Sequence, residues 1–137
     1  MNNAGNRLVA ALSVPRYRNV KRINLEFASD VEDKHLEIIK SKGRNSLGNL
    51  EVLNLNGCKK ISDNGIEFIT YACPKLKAFS IYWNVRVTDL GIKYLVKNCK
   101  HVIDLNLSGC KYMSWTTAER WTSTLETMSC LKRKESF

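Results

Sequence analysis

The sequence predicts an α/β fold: a short curved solenoid with a parallel sheet on its concave face and helices on its convex face. Two observations predict it. Leu50-Glu-Val-Leu-Asn-Leu-Asn-Gly-Cys58 returns 26 residues later as Leu76-Lys-Ala-Phe-Ser-Ile-Tyr-Trp-Asn84, and after another 26 as Val102-Ile-Asp-Leu-Asn-Leu-Ser-Gly-Cys110. The period also runs through turn and helix. Asp63, Gly65, Ile66, Phe68 and Ile69 find their counterparts in Asp89, Gly91, Ile92, Tyr94 and Leu95. A unit of this size cannot bury its own apolar face, so successive units must stack.

Taken in order, residues 5–13 read as a helix with Leu8, Ala11 and Leu12 on one face, stopped by Pro15. In repeat register this is the back half of a unit without its strand, so 1–19 is a partial N-terminal repeat. Unit one starts at Val20, with a strand through Ile23 and Leu25 and a helical run from Leu36 to Ile39. It aligns with unit two at an offset of 30 rather than 26, Ile23 with Leu53 and Asp33 with Asp63. The extra residues fall within Ser41–Asn49, whose glycines, serines and asparagines read as a surface loop.

Unit two begins near 50, with a strand over Glu51–Leu55 and a helix from Asn64 to about Tyr71, ended by Pro74. Ser62 or Asp63 is placed to cap that helix, and the Asp charge suits its positive end. Unit three begins near 76, with a strand over Lys77–Ile81 and a helix over Leu90–Lys97. Unit four begins near 102 and keeps the pattern to Ser114, giving a repeat region of 20–114. After it Trp115, Thr117 and Ala118 occupy the Asp, Gly and Ile slots. The remaining 115–137 reads as a divergent helix or tail, either a cap on the stack or sequence foreign to it.

These motifs carry a resemblance. L-x-x-L-x-L-x-x-(N/C) is the leucine-rich-repeat signature. Cys58-Lys-Lys-Ile-Ser-Asp63 with Gly65-Ile66 and Cys73-Pro-Lys-Leu76 resembles the cysteine-containing repeat subclass, as does Asn84-Val-Arg-Val-Thr-Asp89 with Gly91-Ile92 and Cys99-Lys-His-Val102. That subclass is typical of F-box/leucine-rich-repeat proteins, and the wording is similar to plant members. The resemblance implies a substrate-recognition module of a cullin-type ubiquitin ligase, whose F-box docks the ligase while the repeats hold the substrate. Only nineteen residues precede Val20, too few for an F-box. The expectation is therefore an incomplete, truncated adaptor, not ligase-competent alone and open at its first end, with self-association promoted by the exposed edge. The alternatives are a free-standing regulatory repeat protein without a ligase link and, from another class, a basic nucleic-acid-binding module.

In L-x-x-L-x-L the leucine-type residues point inward and their neighbours outward. The outward, partner-binding set is Arg22, Asn24 and Glu26; Val52, Asn54 and Asn56; Ala78, Ser80 and Tyr82; Asp104, Asn106 and Ser108. This polar row suits hydrogen bonding to a protein or a small polar ligand, or is simply solvated. Trp83 joins the set because it replaces the Gly of the other strand ends, Gly57 and Gly109. It either anchors a partner or packs over the neighbouring turn. Asn84 stands in the slot of Cys58 and Cys110 and is expected to satisfy backbone groups of the turn.

The formal net charge is +9, from 22 Lys and Arg against 13 Asp and Glu, which raises acidic partners and nucleic acid. The basic residues are spread over loops, helices and tail, with no aromatic residues interleaved among them, which reads against nucleic acid. No catalytic role is predicted: His35 and His101 lack a nucleophile or acid partner at recognisable spacing. No cofactor or metal is expected, because no close Cys pair exists. Of five cysteines, Cys58, Cys110, Cys73 and Cys99 sit on the repeat lattice and Cys130 off it. They read as reduced, buried thiols. Without a signal-peptide pattern or an apolar run of membrane-spanning length, the expected location is cytoplasmic or nuclear, with no membrane partner.

Overall fold

In the computed structural model the described residues are 3–42 and 47–107. Each unit supplies a short strand and a helix. The order is α1 (Ala4–Leu12), a 3-10 turn at Pro15–Tyr17, β1 (Arg22–Asn24), α2 (Asp33–Ser41), β2 (Val52–Asn54), α3 (Asp63–Ala72), β3 (Ala78–Ser80), α4 (Asp89–Asn98) and β4 (Asp104–Asn106). The strands form one parallel sheet in the order β1-β2-β3-β4. Register follows the repeat: Ile23 pairs with Leu53, Leu53 with Phe79, and Phe79 with Leu105. Helices connect the strands in sequence, the arrangement that parallel pairing requires.

The strands proper are three residues long, shorter than the expected five, yet the pairing continues beyond them. Leu25 N–H donates to Asn54 C=O at 2.8 Å, and Gly57 N–H to Tyr82 C=O at 2.8 Å. At the other end, Lys77 and Ala78 N–H share the Glu51 carbonyl. The sheet is therefore wider than its regular centre.

The inward residues build one continuous core. Leu53, Leu55, Phe79, Ile81, Leu105 and Leu107 are all buried, joined by Ile66, Ile69, Ile92 and Leu95 from the helices. In unit one Ile23 and Leu25, on the first strand of the sheet, are only half-buried. The helix α1 still packs on this core, with Leu12 buried and Leu8 and Val9 half-buried.

Helix starts explain the turn chemistry. Ser62 and Thr88 are the N-caps of α3 and α4, each hydroxyl accepting from the N–H two residues on, Asn64 at 3.3 Å and Leu90 at 3.2 Å. Asp63 and Asp89 are the first helical residues, one residue earlier than the expected starts. Asp63 caps nothing in its own helix; it reaches into the next unit, as described below. The start of α2 differs: Glu32 N–H donates to His35 Nδ1 at 3.0 Å, which gives His35 a structural place.

The insertion expected within Ser41–Asn49 includes 43–46, outside the described residues. The expectation of a surface loop fails directly after it, because Leu47 is fully buried and pins the return to β2. The sequence from 108 on, including Ser108, Cys110, the tail 115–137 and Cys130, also lies outside the described residues.

Candidate functional site

The concave face is built by alternation. Arg22, Asn24, Val52, Asn54, Ala78, Ser80, Asp104 and Asn106 point away from the core, while the residues between them point inward. Register sets them in two rows. One runs Arg22, Val52, Ala78, Asp104, and the other Asn24, Asn54, Ser80, Asn106. The middle of both rows lines an open groove bounded by Asp104 and Asn106. Two small apolar side chains thus lie between a cation at one end and an anion at the other.

The second row is partly structural. Asn24 Oδ1 accepts from Glu26 N–H at 2.9 Å, and Asn54 Oδ1 from Asn56 N–H at 2.8 Å. These side chains mimic a backbone turn and end each strand. Asn56 joins neighbouring units: its Oδ1 accepts from Tyr82 N–H at 2.8 Å and from the Ser80 hydroxyl. Of the expected set, Arg22, Glu26, Val52, Ala78, Tyr82, Trp83 and Asp104 therefore remain for recognition without giving up a side-chain hydrogen bond to another described residue. Ser108 falls outside the described residues.

Trp83 is 50% exposed, and its ring meets Tyr82 at 4.5 Å between centroids, tilted by 49°; the equivalent turn of the next unit, at Gly109, lies outside the described residues. The Trp83 φ of 62° lies in the left-handed region, which a bulky side chain rarely enters. Phe27 (φ 60°) and Gly57 (φ 70°) share this conformation at the same repeat slot. Phe27 is absent from the sequence-derived set. Its signal is the 30-residue offset, which puts Phe27 where Gly57 and Trp83 stand. Its ring lies across Gly57, where any Cβ would strike it, and it is 58% exposed.

Asn84 departs from expectation. It is fully buried, and neither Oδ1 nor Nδ2 has a hydrogen-bond partner among the described residues. Its backbone, not its side chain, closes the turn: Asn84 N–H donates to Ile81 C=O and its carbonyl accepts from Val87 N–H. The equivalent Cys58 is better matched, its thiol donating to Leu25 C=O at 3.1 Å. Asn carries both a donor and an acceptor to be satisfied, where a thiol needs little.

The thiols are structural. Cys58, Cys73 and Cys99 are buried and form no disulfide with one another, and Cys99 donates to Cys73 C=O at 3.1 Å. Burial pushes the Cys58 thiol up to about 11, opposed by a backbone hydrogen bond from Ala28 and reinforced by the Asp30 charge. Burial likewise raises Cys73 well above its ordinary value, with nearby Cys99 adding to the effect. Neither is a nucleophile near neutral pH. No group of His, Cys, Asp and Glu suited to a metal occurs among the described residues.

The basic residues are not uniformly separated from aromatic ones. Lys59, Lys60 and Arg86 are exposed on the loops that follow Gly57 and Trp83, so cations and rings share the rim at the carboxyl ends of the strands. No helix among the described residues is long and apolar enough to cross a membrane.

The comparisons with known proteins agree with this geometry. The leucine-rich-repeat family model matches residues 49–69. The chain is similar to F-box/LRR-repeat protein 12 of Arabidopsis thaliana, 28% identical over 95 residues. That match spans 69% of this chain and 23% of the relative, so the chain covers about a quarter of the relative's length. Among solved structures it resembles leiomodin-1 actin-binding site 2, with a TM-score of 0.72 over 100% of this chain and 83% of that one. At 9% identity that likeness concerns the fold alone. Register-matched strands, Asp-x-Gly helix starts and buried repeat cysteines give the chain a leucine-rich-repeat fold, and its sequence is similar to that of an F-box/LRR-repeat protein.

Proposed function

We propose that this chain recognises a protein partner through its concave face, as the substrate-holding repeats of a ubiquitin-ligase adaptor. The observation that carries the reading is the row Arg22, Val52, Ala78, Asp104. It runs unbroken across the sheet, with opposite charges at its ends and small apolar side chains over the groove between them. Such a row suits an extended segment with an acidic group at one end and a basic group at the other, held by charge for register and by apolar contact for affinity. The likeness to an F-box/LRR-repeat protein supports the adaptor role.

The test uses Ala78→Arg, which fills the groove from the half-exposed centre of the row while leaving the core untouched. Partners captured by the wild-type chain should be lost by the variant at unchanged melting temperature. A partner retained by Ala78→Arg counts against the concave-face reading. Co-purification with the linker subunit of a cullin ligase, and ubiquitination of the captured partner, would support the adaptor role. Their absence with the partner still bound would favour a free-standing regulatory protein.

A further inference from the structure

The rim at the carboxyl ends of the strands is a different surface from the concave groove. Phe27 and Trp83 are both held there in left-handed backbone, and both stay at least half-exposed. Such strain persists where the surroundings over-determine it, and it gathers at binding sites. Each ring is braced, Phe27 across Gly57 and Trp83 against Tyr82. Beside Trp83, buried Asn84 has neither polar side-chain atom bonded among the described residues, so this turn is not optimised for stability alone.

Charge supplies the second half. Lys59, Lys60 and Arg86 are exposed on the same loops, and none makes an ion pair or a side-chain hydrogen bond with another described residue. The Asp30 carboxylate forms no ion pair with these three residues. Although burial opposes its charge, backbone hydrogen bonds from Asp30 itself and from Gly5, Ala4 and Asn3 at the start of α1 hold its pKa below the ordinary value. The rim therefore presents exposed aromatic surface next to cations that form no ion pair among the described residues.

We propose that this rim docks an acidic segment of a partner protein, its carboxylates paired with Lys59, Lys60 and Arg86 and an apolar side chain seated against Phe27 and Trp83. The inference rests on reading the chain as a protein-recognition module but not on the concave groove. A peptide fits better than nucleic acid. The Trp83 ring is turned against Tyr82 rather than offered as one step in a stacking track.

The experiment titrates the 137-residue chain with three labelled probes: a peptide of alternating Asp and Glu interrupted by two Leu, the same peptide with Asn and Gln, and oligo(dT). The acidic peptide should bind about ten-fold or more tightly than its neutral twin. Trp83→Gly and the Lys59→Glu/Lys60→Glu pair should each weaken it by about ten-fold, while Lys93→Glu/Lys97→Glu on α4, an equal change of charge, should leave it within about two-fold. Trp83→Gly restores the residue used at Gly57, so the variant is expected to fold, and its melting curve verifies this. Absence of acidic-peptide binding, equal affinity for the neutral peptide, tighter oligo(dT) binding, or insensitivity to the rim variants overturns the proposal. Acidic-peptide binding that is lost in Ala78→Arg but kept in the rim variants assigns the peptide to the concave groove and also overturns it. A partner lost in Ala78→Arg, with no acidic-peptide binding at the rim, leaves the concave-face reading standing and removes only this one.

Discussion

Asp63 accepts two hydrogen bonds from Thr88, one unit further along the chain: Thr88 N–H donates to Oδ1 at 2.8 Å and the Thr88 hydroxyl donates to Oδ2. Asp33 and Ser62 repeat the arrangement, Ser62 N–H donating to Asp33 Oδ1 at 2.9 Å. Each cap residue thus accepts from its own helix and donates to the preceding unit. The carboxylate takes up space that a side chain would need: a Cβ on Gly91 would stand 2.7 Å from Asp63 Oδ1. The Asp-x-Gly spacing of the sequence is therefore an inter-unit joint as well as a helix start.

The joint predicts coupling between units. Asp63→Ala should destabilise by about 1.5–3 kcal/mol, the range for hydrogen bonds to a charged group. Thr88→Val should cost about 1 kcal/mol, the scale of losing a cap hydroxyl. A double-mutant cycle on urea melts should show an interaction energy above about 0.5 kcal/mol. Additive losses would mean that the joint carries no energy.

Leu55→Ala tests the core. The side chain is fully buried between sheet and helices, so the loss should be about 2–5 kcal/mol by urea unfolding. The edge counterpart Leu25 is only half-buried. Leu25→Ala should cost less, and a cost equal to that of Leu55→Ala would contradict an edge position for β1.

The parallel sheet, its register and the inward residues were legible because apolar spacing and repeat length state them directly. The helix starts were legible as chemistry but not as partnership. Nothing in Ile61-Ser-Asp63 indicates that the serine serves its own helix while the aspartate reaches the next unit. Alternation alone states which residues of β1 to β4 face outward, yet the turn-forming use of Asn24 and Asn54 and the bridging use of Asn56 are tertiary facts. Trp83 stood out as the residue in a glycine slot. Phe27 occupies the same slot but is hidden by the altered spacing of unit one. Asn84 misled, because its hydrogen-bonding capacity says nothing about whether partners lie within reach.

Gly57 and Trp83 occupy one slot and should respond in opposite senses. Gly57→Ala places a Cβ both at φ 70° and against the Phe27 ring, and should cost about 1–3 kcal/mol. Adding Phe27→Ala should recover part of that loss by clearing the ring. Trp83→Gly relieves comparable backbone strain, offset by the greater unfolded-state freedom of glycine, about 0.5–1 kcal/mol. Its melting temperature should therefore stay near or above that of the wild type. A large loss would show that the Trp83 ring, despite its exposure, holds the turn.

The thiols predict an alkaline limit to stability. Cys58 titrates at about 11 in the folded chain against 9.0 ordinarily, and Cys73 is also raised. Raised values mean that the folded state keeps these protons where the unfolded state has lost them. The stabilisation is fully present below pH 9 and disappears as pH rises through the folded values. Melting temperature should accordingly fall between about pH 9 and 11, and the fall should be shallower in Cys58→Ala, which removes one of the two titrations. Below pH 9, Cys58, Cys73 and Cys99 should resist a thiol reagent in the native chain and react once it is denatured, since burial puts all three out of reach and keeps Cys58 and Cys73 protonated. Equal slopes for wild type and Cys58→Ala, or rapid native labelling of Cys58, would place that thiol outside the core.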